Sequence, residues 1–166
     1  ADGKRNDIGS TCEAYADAYL FAGSPVDALP VNPYLGSDGI NPFIERCAKH
    51  DKGIYILVKT SNESSGELQD LPVGDEVVHE HIAQLVESWG MHHIGPETNF
   101  SCIGAVVGAT YPEEMKYLRT LMPHVPFLNP GYGAQGGTAR DVKGGFIPDG
   151  TGAIVNASRS IMYALF

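Results

Sequence analysis

Five short apolar runs recur along the chain, and each closes on polar residues. They are ALPVNPY (28–34), GIYILVK (53–59), SCIGAVVG (101–108), HVPFLNP (124–130) and GAIVNAS (152–158). Their apolar residues sit at successive positions, as in strands buried on both faces of a parallel sheet. Helix-like segments stand between them. STCEAYADAYLFAG offers Ser10 as a cap with Glu13 three residues on, a capping-box spacing. DEVVHEHIAQLVESWG repeats Val78, Ile82, Leu85 and Val86 at helical spacing and stops at Gly90. TYPEEMKYLRTLM has Pro112 and two glutamates where a helix begins. Strands alternating with helices give an α/β fold. The stretch at about 60–75, SNESSGELQDLPVGD, reads as a long loop and a mobile lid.

The polar ends say more. VNPY, VKTSN, VVGATY, NPGYGAQGG and VNASRS all place Asn, Thr, Ser, Gly or Arg after an apolar run. That edge hosts the site in open α/β sheets and in (β/α)8 barrels. Five polar ends converging on one rim point to a barrel more than to an open sheet. A full barrel needs roughly 250 residues, and only five strands are legible in these 166 residues. Asp2 and Lys4 supply the missing piece. Their period-two spacing puts both on one side of a strand end. The expectation is a single domain over 1–166: the C-terminal portion of a barrel, with the last five strands and the end of the third.

Charge and cysteine narrow the function. The net charge of −9 and the absence of a basic stripe argue against a nucleic-acid surface. No apolar run approaches the roughly 18 residues of a membrane span. Cys12, Cys47 and Cys102 are too few and too scattered for a disulfide framework or a zinc site, which suits the reducing cytoplasm.

The chain opens DGKRND, in which Lys4 lies between Asp2 and Asp7. Nearby negative charge keeps such a lysine as an ammonium, a poor nucleophile and a ready proton donor. Later, GYGAQGG matches G-x-G-x-x-G through Gly131, Gly133 and Gly136. Pro130 before it and the two glycines soon after it oppose a dinucleotide fingerprint. A bare-backbone loop that admits a phosphate fits better, with Gly133 and Gly136 shaping it and Arg159 gripping the oxygens in a fork. His79, His81, His92 and His93 read as solvated surface residues, because histidines two apart on a helix point away from each other.

Together, DGKRNDIGST, VNPYLGSDGINPF, ILVKTSNESSGELQD, IGAVVGATYPEEM, PGYGAQGGTARDV and GAIVNASRSI resemble the orotidine 5′-phosphate decarboxylase family, in its longer-chain branch. The resemblance runs in order over nearly the whole chain. It implies a (β/α)8-barrel homodimer that converts orotidine 5′-phosphate to UMP and CO2 in pyrimidine biosynthesis, without metal or organic cofactor. It also implies that Lys4 gives the proton to C6 and that Asp2 sits by the departing carboxylate. Asp7 and Thr11 then reach across the dimer interface. Ser61 contacts the uracil, Gln135 bridges phosphate and pyrimidine, and Ser158 and Arg159 hold the phosphate. A further active-site lysine of the family belongs to a preceding strand that these residues do not include. Two alternatives stand beside this reading. One is another sugar-phosphate lyase of the same barrel superfamily, which needs magnesium and an extra acidic ligand. The other is an inactive phosphate-binding fragment.

Overall fold

The computed structural model describes residues 1–164; Leu165 and Phe166, the end of the expected 1–166 unit, lie outside the described residues. In chain order the elements are α1 (Gly9–Tyr19), β1 (Ala28–Val31), α2 (Ser37–His50), β2 (Gly53–Lys59), α3 (Gly66–Gln69), β3 (Pro72–Val73), β4 (Glu76–Val77) and α4 (Val78–Gly90). There follow β5 (Ile103–Val107), α5 (Pro112–Leu121), β6 (Phe127–Asn129), α6 (Ala139–Val142), β7 (Ala153–Val155) and α7 (Ser158–Met162).

Five strands form one sheet in the order β1-β2-β5-β6-β7, all parallel. Their spatial order is their chain order. A doubly wound sheet must reverse at a switch point. This sheet never does, so it is a stretch of barrel wall. Residues 1–5 extend it. Arg5 pairs in parallel with Val31. Its N–H donates to Pro30 O at 3.2 Å, and its carbonyl accepts from Asn32 N at 2.8 Å. Asp2 and Lys4 thus run beside β1, between the Ala1 N bond to Ala28 O and the Arg5 pairing, with Arg5 the paired residue of this segment.

The strands bury one face against the helices. Leu29, Val31, Ile54, Ile56 and Phe127 meet Ile40, Phe43, Cys47, Val86, Met115 and Leu118 in one cluster, all essentially inaccessible. Each buried Leu, Ile or Phe contributes about 1.5–3 kcal/mol. Arg46 and Asp17 tie α2 to α1 with paired bonds of 2.5 and 3.3 Å.

Two local expectations change, and one helix was not foreseen. The first helix starts at Gly9, so Ser10 lies inside it and forms no cap. Asp7 Oδ1 instead accepts the Ile8 N–H at 2.7 Å, right where the strand end turns into α1. The segment at 60–75 is not an open loop. It folds into a short turn of 3-10 helix at Glu63–Ser65, then α3, then the β3–β4 hairpin. Finally, α2 carries Gly39 and Pro42, which mask it in the sequence. What makes it a helix is the buried stripe of Ile40, Phe43, Ile44 and Cys47 at helical spacing.

Candidate active site

Ser61 follows the C-terminal end of β2, Gly133, Gly136 and Gln135 follow that of β6, and Ser158 and Arg159 follow that of β7; Asp7 and Thr11 come after Arg5, which pairs with Val31 at the end of β1, and Asp2 and Lys4 lie just before it. At the first strand end, Lys4 Nζ pairs with Asp2 Oδ1. In this chain the two side chains are 53% and 76% exposed, at the open edge of the sheet. Lys4 adopts φ 44°. Among the described residues, two other non-glycine residues share the left-handed region. Asp51 there closes α2 and Asn99 lies in a loop. Lys4 ends no helix; its strain is of the kind that concentrates where function needs a side chain in one place. Beside it, the Arg5 guanidinium donates to Tyr19 Oη at 3.1 Å and lies 5.2 Å from the Tyr15 ring centroid, fixing the strand end to α1.

Asp7 does not join that pair. Its carboxylate is engaged by the Ile8 N–H, and its backbone packs near Gly39 of α2. Thr11 sits in the first turn of α1, half-buried. Among the described residues, no hydrogen bond or ion pair links either one to the Lys4–Asp2 pair.

Further round the rim, Ser61 and Gln135 converge on Gly131. A Cβ on Gly131 would stand 2.9 Å from Ser61 Cβ and 3.2 Å from Gln135 Oε1. On the other side, a Cβ on Gly108 would stand 2.9 Å from Ser61 N. Two bare backbones thus make the slot in which Ser61 is held. Gly131 and Gly136 both have φ +98°, but open space surrounds Gly136. The expected result is that Gly136→Ala costs only backbone strain, about 1–2 kcal/mol. Gly131→Ala adds a clash with Ser61 and loses at least about 1 kcal/mol more. Urea unfolding of the two variants measures the difference.

The glycine loop is knit internally. Gly133 N donates to Gly137 O at 2.8 Å and Gly136 N to Gly133 O at 2.8 Å. Gly133 and Gly136 therefore set the loop's shape, with their own N–H groups bonded inside it. A cleft beside the loop is lined by Pro130, Gly131, Gln135, Asn156, Ser158 and Arg159. Ser158 and Arg159 lie in the first turn of α7, three or more residues past β7, and both are exposed. The cleft gathers a guanidinium, a hydroxyl and an amide at one mouth, a donor set suited to an oxyanion.

One expectation fails outright. His79 is not a solvated surface residue but is 5% exposed. Its Nδ1 lies 2.9 Å from Gln69 O and 3.1 Å from Asp70 Oδ1. Asp70 also pairs with Lys59, which is completely buried. The hydrogen bond from Lys59, then its charge and that of His79, hold the Asp70 carboxyl below its usual range. Sequence reasoning passed over both Lys59 and Asp70. A lysine at the end of an apolar run was the one available signal.

The sequence model of the "Orotidine 5'-phosphate decarboxylase / HUMPS family" matches residues 1–165. A protein of Rhodopirellula baltica named orotidine 5'-phosphate decarboxylase is 49% identical over 98% of this chain and 56% of its own length. One of the same name from Caldicellulosiruptor bescii is 48% identical, again over 98% and 56%. The chain thus spans a little over half the length of these curated relatives. Among solved structures, Leishmania donovani OMP decarboxylase superposes with a TM-score of 0.84 at 34% identity, covering 99% of this chain and 60% of that one. Leishmania donovani UMP synthase gives 0.82 at 37% identity, covering 94% and 33%. With a parallel barrel wall and the family model matched over residues 1–165, the chain belongs to the orotidine 5′-phosphate decarboxylase / HUMPS family.

Proposed function

We propose that the protein carrying this chain converts orotidine 5′-phosphate to UMP and CO2 in pyrimidine biosynthesis, and that residues 1–166 are the C-terminal portion of its single barrel domain. The observation that carries this reading is the strained Lys4, paired with Asp2, on the same rim as the Ser61–Gly131–Gln135 contact and the Arg159 cleft.

Breaking the bond from C6 to the carboxylate releases CO2 and leaves the electron pair on C6. The Lys4 ammonium stabilises that pair and then gives it a proton, which Lys4 recovers from solvent. Asp2 holds the ammonium and stands by the departing carboxylate. Ser158 and Arg159 bind the phosphate, in a loop shaped by Gly133 and Gly136. Gln135 joins the phosphate to the pyrimidine, and Ser61 contacts the base. Phosphate binding far from C6 supplies energy that orders the reacting end. Asp7 and Thr11, engaged with none of these groups in one chain, reach the partner subunit's site in a homodimer. Three free cysteines suit the cytoplasm as its place of work.

The test is carboxyl release from orotidine 5′-phosphate by the full-length protein, with and without EDTA. Turnover that survives EDTA supports the reading. Turnover that EDTA abolishes, or turnover of a keto-gulonate phosphate instead, moves the protein to a magnesium-dependent lyase. Arg159→Ala is expected to raise KM about 10–100-fold, the worth of one or two charge-assisted bonds to phosphate.

A further inference from the structure

Among the described residues, the fully buried lysine is Lys59, not Lys4. A register shift between Leu57 and Lys59 interrupts the pairing of β2 with β5. Past it, Val58 and Lys59 are both buried, the lysine completely. Such bulges re-aim a side chain at the end of a strand. The Lys59 ammonium lies 4.4 Å from the centroid of the Tyr111 ring and pairs with Asp70 Oδ1.

The residues around this pair close a loop. Gln69, next to Asp70, clasps Thr60, next to Lys59. Thr60 N donates to Gln69 Oε1 at 3.0 Å, and Gln69 Nε2 donates to Thr60 Oγ1 at 2.8 Å. His79 backs Asp70 and the Gln69 carbonyl from α4. Tyr111 covers the pair, and its hydroxyl reaches Ser65 Oγ at 3.1 Å and Asn62 O at 3.3 Å. Thr110 Oγ1 donates to Ser61 O at 3.3 Å. Ser61 is thus the second residue of a loop whose two ends are locked together.

An ion pair with one partner buried and the other half-exposed is a poor source of stability, since desolvating the lysine offsets most of the attraction. What it supplies is one geometry. We propose that Lys59 is a positioning residue: through Asp70 it locks residues 59–70 into a closed loop, and so fixes Ser61 in the slot between Gly108 and Gly131. This rests on the reading of Ser61 as the contact to the base.

Full-length protein carrying Lys59→Met with Asp70→Asn removes both charges and leaves none stranded. Two measurements decide. Hydrogen exchange over residues 60–70 should speed at least about tenfold in the double variant. UMP affinity by calorimetry then completes a cycle with Ser61→Ala. In the parent, Ser61→Ala should weaken UMP about tenfold; in the double variant it should cost less than about twofold, because Ser61 has already lost its place. Unchanged exchange overturns the proposal whatever the protein binds. An equal cost of Ser61→Ala in both backgrounds also overturns it. A parent in which Ser61→Ala leaves UMP affinity unaltered counts against the base contact, and the exchange result still decides the lock. Asp70→Asn alone, at a half-exposed carboxylate, should give the same faster exchange; if it does not, the lock does not run through Asp70.

Discussion

Lys4→Gly in the full-length protein should abolish decarboxylation and make the protein more stable. In the proposed reaction, two effects meet in one ammonium. A positioned proton donor is worth about 10²–10⁴ in rate. A preorganised charge facing a developing anion is worth about 10²–10³ more. Because one group supplies both, the losses overlap, and a fall in kcat of about 10⁴–10⁵ is expected. UMP affinity should hold within about threefold, since Arg159, Ser158, Gln135 and Ser61 remain. Stability should move the other way. Lys4 sits at φ 44°, where a residue with a Cβ is strained and glycine is not. Relief of that strain should add about 1 kcal/mol, less the loss of an exposed ion pair that contributes little. Lys4→Ala separates the two effects: it should be equally inactive, with none of the stabilisation. Single-turnover release of carboxyl label and a urea titration check both. Turnover of Lys4→Gly within tenfold of the parent would remove Lys4 from the chemistry. An unaltered urea midpoint would remove the strain.

A period of two suggests that Asp2 and Lys4 share a side; the structure does bring them together, through an ion pair and a left-handed backbone at Lys4 in place of strand alternation. The five strands were legible as well: GIYILVK coincides with its strand, and the other four apolar runs overshoot theirs. In HVPFLNP, Pro126 and Pro130 bound the strand to Phe127–Asn129, since neither proline can donate to the ladder. In GAIVNAS the strand stops at Val155, so Arg159 is delivered by α7 and not by the strand itself. What the sequence hid was long-range. His79 looks solvated until Asp70 and the Gln69 carbonyl arrive from the loop packed on α4. Lys59 looks like the polar end of a strand until a register shift buries it. The convergence of Ser61 and Gln135 on Gly131 joins two segments some seventy residues apart, and no local pattern carries that pairing. Bare glycine backbone is what makes the approach possible.

Arg119 was equally invisible, a lone basic residue in the last turn of α5, where a helix dipole favours one anyway. The fold makes it the staple of the opposite rim. Its guanidinium donates five bonds to four carbonyls: Gly145 O at 3.1 and 2.7 Å, Met122 O and Val125 O at 2.8 Å each, and Gly152 O at 2.9 Å. It stacks 3.6 Å from the Phe127 ring centroid, and burial pulls its pKa down to about 10, which leaves it cationic at neutral pH. These carbonyls belong to the end of α5, the turn after α6 and the entries to β6 and β7, so one side chain sets how the last two strands begin. Arg119→Met keeps much of the apolar stem and leaves Gly145 O and Val125 O bare, while Gly152 O keeps the Phe127 N–H at 2.8 Å and Met122 O the Val125 N–H at 3.5 Å. Each buried acceptor left bare costs about 1–3 kcal/mol where water cannot reach it. Partial hydration reduces the sum, and a loss of about 3–5 kcal/mol is expected. That is a large part of the 5–15 kcal/mol a domain typically has. The melting temperature of the full-length protein should fall by about 6–20 °C. Arg119→Lys should recover less than half of this, because an ammonium has three donors and no planar fork. The decisive comparison is with UMP bound. Arg119 stands at the N-terminal ends of the strands and the Arg159 cleft at their C-terminal ends, so the folded fraction of Arg119→Met should bind UMP as the parent does. A variant that melts like the parent would show that the carbonyls find other partners. One that keeps its stability but loses UMP would make Arg119 part of the site.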